Sequence, residues 1–380
     1  MPNSDKNYPM WAEVDLNRLI HNLQTARNLI GEQTKIMAVV KANAYGHGVV
    51  EIARTLIDNG VAQLAVATVN EGVELRQNNI DAPILLLCIP AYNEAQKIAA
   101  SRLTATVGDY SFSRCLNDIG RQKKQLIKVH VRVDTGMGSA GVLPKDCLDL
   151  LRFLEGMEWL QLEGIYTHLN SAYGSNKDQA LEQLAQFQGI LDQLPAAGIS
   201  ISLVHTASSP ALGVPGSEFD MIRPGIMLYG MRCRNQHIDD LLKPIMQLKA
   251  RVTCIKEVES NFRIGYGWNF YTQEPTRIAT LPLGYADAYF LYYLNQGEVL
   301  IHGQRAPILA KPFMDHCIVD INHIEEVEIG DEAVFIGEQG NEAITVEELA
   351  GKSAIGPDNL DLLSLLGLRV PRIYTGQNHS

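Results

Sequence analysis

The chain has 380 residues, 46% of them hydrophobic and 20% charged, with a formal net charge of −11. That length and balance suit a soluble globular chain of two domains, or of one large domain with an appendage. An acidic surplus without any Lys/Arg cluster argues against nucleic acid as a partner. Residues 1–8 lack the charged-then-apolar pattern of a signal peptide, and no apolar run is long enough to span a bilayer. A cytoplasmic enzyme with no membrane partner is therefore expected. The six cysteines, Cys88, Cys115, Cys147, Cys233, Cys254 and Cys317, are scattered without C-x-x-C spacing, so neither a structural metal site nor a disulfide framework is predicted.

Taken in chain order, short β-rich runs alternate with helix-length amphipathic stretches over the first two-thirds. The runs are residues 36–41, 63–68, 83–88, 103–107, 126–133, 162–167, 201–205 and 221–229. Between them lie stretches such as 49–58, 71–77, 144–154 and 178–194. Such alternation implies a parallel sheet with crossover helices. Eight units in about 210 residues predict a closed (β/α)8 barrel of the TIM type rather than an open doubly wound sheet. The ends of these strands carry Lys41, Asp134, His168, His205 and Arg223. The carboxyl-end face is where barrel enzymes place their chemistry.

The pattern changes near residue 243. Short alternating segments follow at 247–258, 278–283, 297–301, 306–309, 317–321 and 332–337, punctuated by Gly, Asn and Asp. No helix-length periodic stretch interrupts them until 346–351. This predicts a second, mostly antiparallel β domain. The expected division is 12–240 and 241–380, with the boundary in the polar stretch 234–243. Residues 11–16 offer the second domain one more strand, so that residues 1–16 would join it.

The most informative stretch is Met37-Ala-Val-Val-Lys-Ala-Asn-Ala-Tyr-Gly-His-Gly48. An apolar run ends in a single lysine, a small-residue turn follows, and helix-compatible sequence resumes at Val49. An amine held out of water gives up its proton more readily, which is what a nucleophilic or Schiff-base lysine requires. An arbitrary strand-end lysine more often just leaves for solvent; the neighbouring residues decide the matter.

Those neighbours resemble the alanine racemase family, two-domain enzymes of fold type III that use pyridoxal 5′-phosphate. The resemblance runs from Trp11-Ala-Glu-Val-Asp15 to Arg369-Val-Pro-Arg-Ile-Tyr374 and is strongest at Ala38 to Gly48. It implies that Lys41 binds the cofactor aldehyde covalently and that Tyr45 touches the phosphate. Met221-Ile-Arg-Pro-Gly-Ile-Met-Leu-Tyr-Gly230 is similar to the family's last barrel strand. There Arg223 would face the pyridine nitrogen, and Gly225 and Ile226 would offer backbone N–H groups to the phosphate. A guanidinium has no lone pair to give and stays charged, so it discourages protonation of that nitrogen. Ser209, in His205-Thr-Ala-Ser-Ser-Pro210, matches the family's phosphate-binding serine, with Ser208 where Asn is commoner.

Arg263-Ile-Gly-Tyr-Gly-Trp268 resembles the catalytic tyrosine motif, with Tyr266 as the second base. In the family that tyrosine comes from the partner subunit, which implies a homodimer with composite sites. Two bases on opposite faces of one carbon suffice for racemisation. His168 would link Tyr266 and Arg223. Ala306 to His316 resembles the substrate-carboxylate segment, with Met314 contributing a backbone N–H and Asp315 shaping the entrance. Tyr285, in Leu283-Gly-Tyr-Ala-Asp287, would line the channel.

Four departures from the family pattern bear on substrate choice. Ser139 stands where an arginine is usual, Arg132 where many members carry a lysine, Leu368 where a tyrosine is common, and Leu291 where an arginine follows the Gly284 to Asp287 motif. Residues 353–363 also differ from the usual run before the terminal motif. Arg132 is expected to supply the missing cation from its neighbouring position. The expectation is a racemase acting on a small amino acid, with alanine first and serine or a modified amino acid next. The alternatives are another reaction on the same scaffold, such as decarboxylation, and a weakly active cofactor-binding protein.

Overall fold

The computed structural model describes residues 8–170, 177–268, 270–288, 297–352 and 360–376. The chain forms two compact units. One comprises Arg18–Ala44 and Val49–Pro244; the other draws on Met1–Asn17, Tyr45–Gly48 and Ile245–Ser380. The short loop Tyr45–Gly48, directly after the expected cofactor lysine, thus belongs to the β-rich unit.

The chain opens with β1 (Met10–Asp15), a strand of the β-rich unit. The barrel unit follows with β2 (Lys35–Val39), β3 (Gln63–Val66), β4 (Ile84–Leu86), β5 (Ala105–Val107), β6 (Ile127–Arg132), β7 (Leu160–Tyr166), β8 (Leu203–His205) and β9 (Met221–Ile222). All pairings are parallel, in the orders β4-β3-β2-β9 and β5-β6-β7-β8. A parallel bridge between Leu85 and Thr104 joins β4 to β5, and one between Ser208 and Arg223 joins the segments after β8 and at the end of β9. The eight strands therefore close on themselves. Strands covered on both faces read as continuous apolar runs, and β3, β4 and β5 are buried at every residue.

The last predicted strand, 221–229, is shorter than expected. Only Met221–Ile222 pairs as a strand, and Ile226–Tyr229 forms a single 3-10 turn. The cause is Pro224-Gly225: proline has no N–H for the ladder, and Gly225 turns away with φ −124° and ψ −92°. The helix Val69–Gln77 after β3 starts with a capping box in which Thr68 Oγ1 accepts the Glu71 N–H (3.3 Å) and Glu71 Oε2 accepts the Thr68 N–H (2.9 Å).

In the β-rich unit, β1 lies between Met246–Arg251, which it pairs antiparallel, and Arg372–Thr375, which it pairs parallel, within a seven-stranded sheet. The run 247–258, read as one segment, is two strands in different sheets: Met246–Arg251 and Cys254–Val258. Cys254–Val258, Thr276–Leu281 and Cys317–Asp320 make a three-stranded antiparallel sheet. A hairpin of Arg263–Ile264 and Phe270–Tyr271 packs with it through Val258, Ile264, Ile278 and the partly buried Phe270 and Ile318. The strand Arg372–Thr375 was not anticipated, because its Arg-Ile-Tyr-Thr shows little apolar alternation. Among the described residues no helix is long and apolar enough to cross a membrane.

Candidate active site

Lys41 leaves the carboxyl end of β2 half-buried. The turn it opens is left-handed: Ala42, Asn43, Ala44 and Tyr45 have φ of 52°, 54°, 52° and 53°. L-residues pay about 1–2 kcal/mol each for this conformation, and none of the four is glycine. Specific bonds offset the cost. The Ala44 N–H reaches Val40 O (2.9 Å), Asn43 Oδ1 accepts the Val49 N–H (2.8 Å), and Glu71 Oε1 accepts the Ala42 N–H (2.6 Å). Glu71 therefore caps its own helix with one oxygen and holds the turn after Lys41 with the other.

Arg223 directly follows β9, the strand paired with the one that leads to Lys41. β2 and β9 are paired, and the Val39 N–H donates to Pro224 O (2.9 Å). The guanidinium is buried and heavily bonded. Nη1 donates to His205 Nδ1 (2.8 Å), Nη2 donates to Thr167 O and Thr206 O (both 2.9 Å), and Cζ lies 5.1 Å over the Tyr166 ring. Burial lowers its pKa to about 10, with Arg132 adding to the effect against the pull of Tyr166, so it remains charged at neutral pH. His168 Nδ1 lies 3.5 Å from Nη2. Burial, followed by the charges of Arg223, Arg132 and Lys41, brings the His168 pKa down to about 3. His168 is consequently a neutral imidazole among three cations.

Ser209 is buried, and its Oγ accepts the Gly225 N–H (2.8 Å) and, more weakly, the Met227 N–H (3.4 Å). The Gly225 N–H is turned to Ser209 rather than outward, so Gly225 is not an open donor in this structure. Ile226 begins the 3-10 turn, where the first N–H groups have no acceptor within the turn itself. The Ser209 hydroxyl, accepting from the backbone, keeps its own proton to donate.

Arg132, at the end of β6, donates from Nη2 to Ser139 Oγ (3.1 Å). The loop between them is built on Asp134, whose Oδ1 accepts the N–H groups of Gly136 (3.1 Å), Met137 (2.7 Å) and Gly138 (3.0 Å). Partial burial opposes the Asp134 charge, yet these three bonds and Arg132 hold its carboxyl below the ordinary range.

The remaining predicted residues lie in the β-rich unit. Tyr45 is buried there, in a loop fixed by Arg372 Nε to Gly46 O (2.9 Å) and Tyr374 Oη to His47 O (3.2 Å). A Cβ at Gly46 would fall 2.0 Å from Leu363 O, so this position tolerates no side chain. Tyr266 follows the hairpin strand Arg263–Ile264 and is 79% exposed, its ring 5.1 Å from that of Phe313. The segments 284–287 and 313–315 are brought together: the Tyr285 N–H donates to Phe313 O (3.1 Å) and the Ala286 N–H to Met314 O (2.9 Å). Gly284 permits this approach, since a Cβ there would lie 2.4 Å from both Phe313 O and Met314 O. Arg369, not singled out as a site residue, binds buried Asp287 (Nε, 2.9 Å) and exposed Asp315 (Nη2, 2.7 Å). Its place after Leu368 in the terminal motif was its only signal. Leu368 is 86% exposed. Leu291 and residues 353–359 lie outside the described residues.

Comparison with known proteins follows the same two-part division. The model of the alanine racemase N-terminal domain matches residues 14–233, and that of the alanine racemase C-terminal domain matches 245–374. An alanine racemase of Methanococcus maripaludis is 38% identical over 374 residues, covering 97% of this chain and 99% of that protein. Alanine racemase 2 of Caldanaerobacter subterraneus is 39% identical, covering 97% and 96%. Among solved structures, the alanine racemase of Clostridium difficile 630 superposes with a TM-score of 0.93 at 33% identity, covering 98% of this chain and 97% of that one. The alanine racemase of Bacillus anthracis with bound L-Ala-P gives 0.90 at 31%, covering 98% and 96%. With both domain models matched in order and almost no residue of either partner left uncovered, the chain belongs to the alanine racemase family, whose enzymes are pyridoxal 5′-phosphate-dependent isomerases.

Proposed function

We propose that this racemase interconverts L- and D-alanine, with Lys41 as the base on one face of the substrate and Tyr266 of a second copy as the base on the other. The observation that carries the reading is the buried Arg223, a donor-only cation fixed beside the strand that ends in Lys41. Three of its five N–H groups point to His205, Thr167 and Thr206, so donors remain for a ring nitrogen.

The residues present fit pyridoxal 5′-phosphate. Lys41 offers the amine for its aldehyde, Arg223 the donors for its ring nitrogen, and the Ser209 hydroxyl with the Ile226 end of the 3-10 turn the donors for its phosphate. When bound, the cofactor supplies an electron sink that acidifies the substrate Cα–H bond. Arg223 keeps that sink weak, because it offers the ring nitrogen a hydrogen bond but no proton. Lys41 Nζ takes the Cα proton on one side, and Tyr266 Oη delivers a proton on the other; in the reverse direction the roles exchange. Tyr266 stands 79% exposed on its own chain, which favours a partner outside that chain and hence a homodimer.

Arg132 is read as the cation for the substrate carboxylate. Its guanidinium reaches Ser139, so positive charge extends toward the position where the family usually has arginine. In the β-rich unit Met314, through its backbone N–H, Asp315 at the entrance and the channel residue Tyr285 complete the proposed substrate set, held together by the 284–287 and 313–315 contacts.

The deciding experiment incubates the cofactor-loaded protein with single L-amino acids in deuterated buffer and follows Cα exchange, optical inversion and CO2 together. Exchange with inversion, fastest for alanine, is expected. Release of CO2 without inversion would replace racemisation by decarboxylation, and the absence of both would leave a binding protein.

A further inference from the structure

Behind Arg223 the barrel interior holds a line of buried polar side chains. His205 Nε2 lies 2.9 Å from His130 Nδ1, and His130 Nε2 lies 3.2 Å from Glu163 Oε2. Glu163 Oε1 meets Lys128 Nζ at 2.5 Å. Arg223, His205, His130 and Glu163 are all buried, while Lys128 reaches solvent on the amino-terminal half of β6. The line thus runs from the residue proposed to face the cofactor ring back toward the other end of the strands.

Hydrogen-bond chemistry gives this line a direction. A guanidinium only donates, so His205 Nδ1 must accept from Arg223 and the His205 proton must sit on Nε2. That N–H points at His130 Nδ1, which must therefore accept, placing the His130 proton on Nε2. That N–H in turn points at a carboxylate, which accepts. The donor at one end and the acceptor at the other demand the same two tautomers, so removing the acceptor leaves a buried N–H of His130 without a partner and the series held from one end alone.

The surroundings leave few alternatives. The His205 ring stacks on Tyr166 with centroids 4.8 Å apart and planes 12° from parallel. Tyr166 is itself held by Thr106 Oγ1 (2.9 Å) and Leu87 O (3.1 Å). The His130 ring lies against Gly164, where a Cβ would fall 2.6 Å from His130 Nδ1. Both rings are thus packed in place, and the proton positions become the remaining variable. Burial, reinforced for His205 by Arg223, depresses both imidazole pKa values and keeps them neutral. Against burial, His130 and Lys128 hold Glu163 well below the usual carboxylate range.

We propose that Glu163 is a positioning residue for catalysis: its carboxylate terminates a one-way series of N–H donors, Arg223 to His205 to His130 to Glu163, that fixes both imidazole tautomers and the aim of the guanidinium. Without that acceptor, His130 gains by moving its proton to Nδ1, where it meets the His205 N–H. His205 must then move its own proton to Nδ1, where it meets Arg223. A defect at Glu163 arrives at Arg223 as two donors face to face. The catalytic consequence rests on the reading of Arg223 as the partner of the cofactor ring nitrogen; the tautomers do not.

The test uses full-length cofactor-loaded protein labelled with 15N-histidine. Long-range 1H–15N correlation reports the tautomers, with His130 and His205 assigned through the His130→Asn and His205→Asn variants. Both rings are expected as Nε2–H at pH 8. Glu163→Gln keeps an acceptor oxygen and is expected to keep the tautomers. Glu163→Leu is expected to lose them and to lower kcat by about tenfold, with KM for alanine unchanged, the scale on which a partner behind a ligating side chain acts. An Nδ1–H signal from either ring in the unaltered protein overturns the proposal even if Glu163→Leu fails to fold. Unchanged tautomers in Glu163→Leu overturn it as well. Altered tautomers with undiminished kcat would uphold the donor series and overturn the role given to Arg223.

Discussion

The predicted site residues of the two units are built on opposite principles. In the barrel unit the functional side chains are braced against one another: Arg223 has bonds to His205, Thr167 and Thr206, Ser209 is buried, and Arg132 is tied to Ser139. In the β-rich unit Tyr45 is buried, but three other predicted side chains face outward. Tyr266 is 79% exposed, Met314 51%, and Asp315 is exposed too. A donor set aimed at a rigid planar cofactor gains from preorganisation within one chain. If Tyr266 serves a second copy of the chain, as proposed, its exposure on its own chain is what that role requires.

The sharpest break of this comparison is genetic complementation. Lys41→Ala is expected to abolish borohydride trapping of the cofactor and lower racemisation by at least about 10³-fold, since it removes a covalent anchor and a base together. Tyr266→Phe is expected to retain trapping and lose about 10²-fold or more. Co-refolding the two variants in equal amounts should restore about a quarter of full activity, because half of the dimers are mixed and each mixed dimer has one intact site. Recovery of none, with mixed dimers present, would mean that Lys41 and Tyr266 serve within one chain.

Arg132→Ala comes next. If Arg132 supplies the cation that Ser139 lacks, KM for alanine should rise by about 10- to 100-fold, the cost of losing a charge-assisted bond. Cofactor affinity should fall as well, while borohydride still traps it on Lys41. Steady-state kinetics and cofactor titration read both effects. An unchanged KM would remove Arg132 from the substrate set.

These predictions rest unevenly on sequence. The strand-end places of Lys41 and Arg223 were legible because each lies in a distinctive local pattern. The left-handed turn after Lys41 was not, because Ala42, Asn43, Ala44 and Tyr45 include no glycine to announce positive φ. Its stability comes instead from Glu71, a residue 29 positions away from Ala42 that reads as an ordinary helix cap. Gly225 was read as an open donor, but the fold turns its N–H to Ser209. His130 and Glu163 look like routine members of alternating strands; only the register of β6 and β7, with its irregularity between Val129 and His130, puts them in contact. Parallel neighbours with long connections carry no local sign of which side chains will meet.

Acid provides a gentler probe of the barrel half. His168 has a folded pKa of about 3 against an ordinary value of 6.5, so the unfolded chain binds the extra proton between those limits. Stability must therefore fall as pH drops through 6.5 and level off near 3, by at most about 1.4 kcal/mol per pH unit for this group. His130 and His205, also depressed by burial, act in the same direction. Denaturant midpoints at pH 7 and pH 5 should show the loss, and His168→Asn should make it shallower. A midpoint insensitive to pH over that range would mean that these imidazoles are charged in the folded protein.

The smallest effect is expected at Leu368, where the family tends to have tyrosine. A leucine offers no hydrogen bond, and one that is 86% exposed buries little on its own chain. Leu368→Ala should therefore shift the unfolding free energy by less than about 0.5 kcal/mol. The contrast with its neighbour is the point of the measurement: Arg369, one residue on, fastens buried Asp287 and exposed Asp315, so Arg369→Ala should raise KM by loosening the 284–287 and 313–315 segments. If Leu368→Ala proved as damaging as Arg369→Ala, its side chain would have to be covered in the working enzyme. Under the proposed dimer, a second copy of the chain would be what covers it.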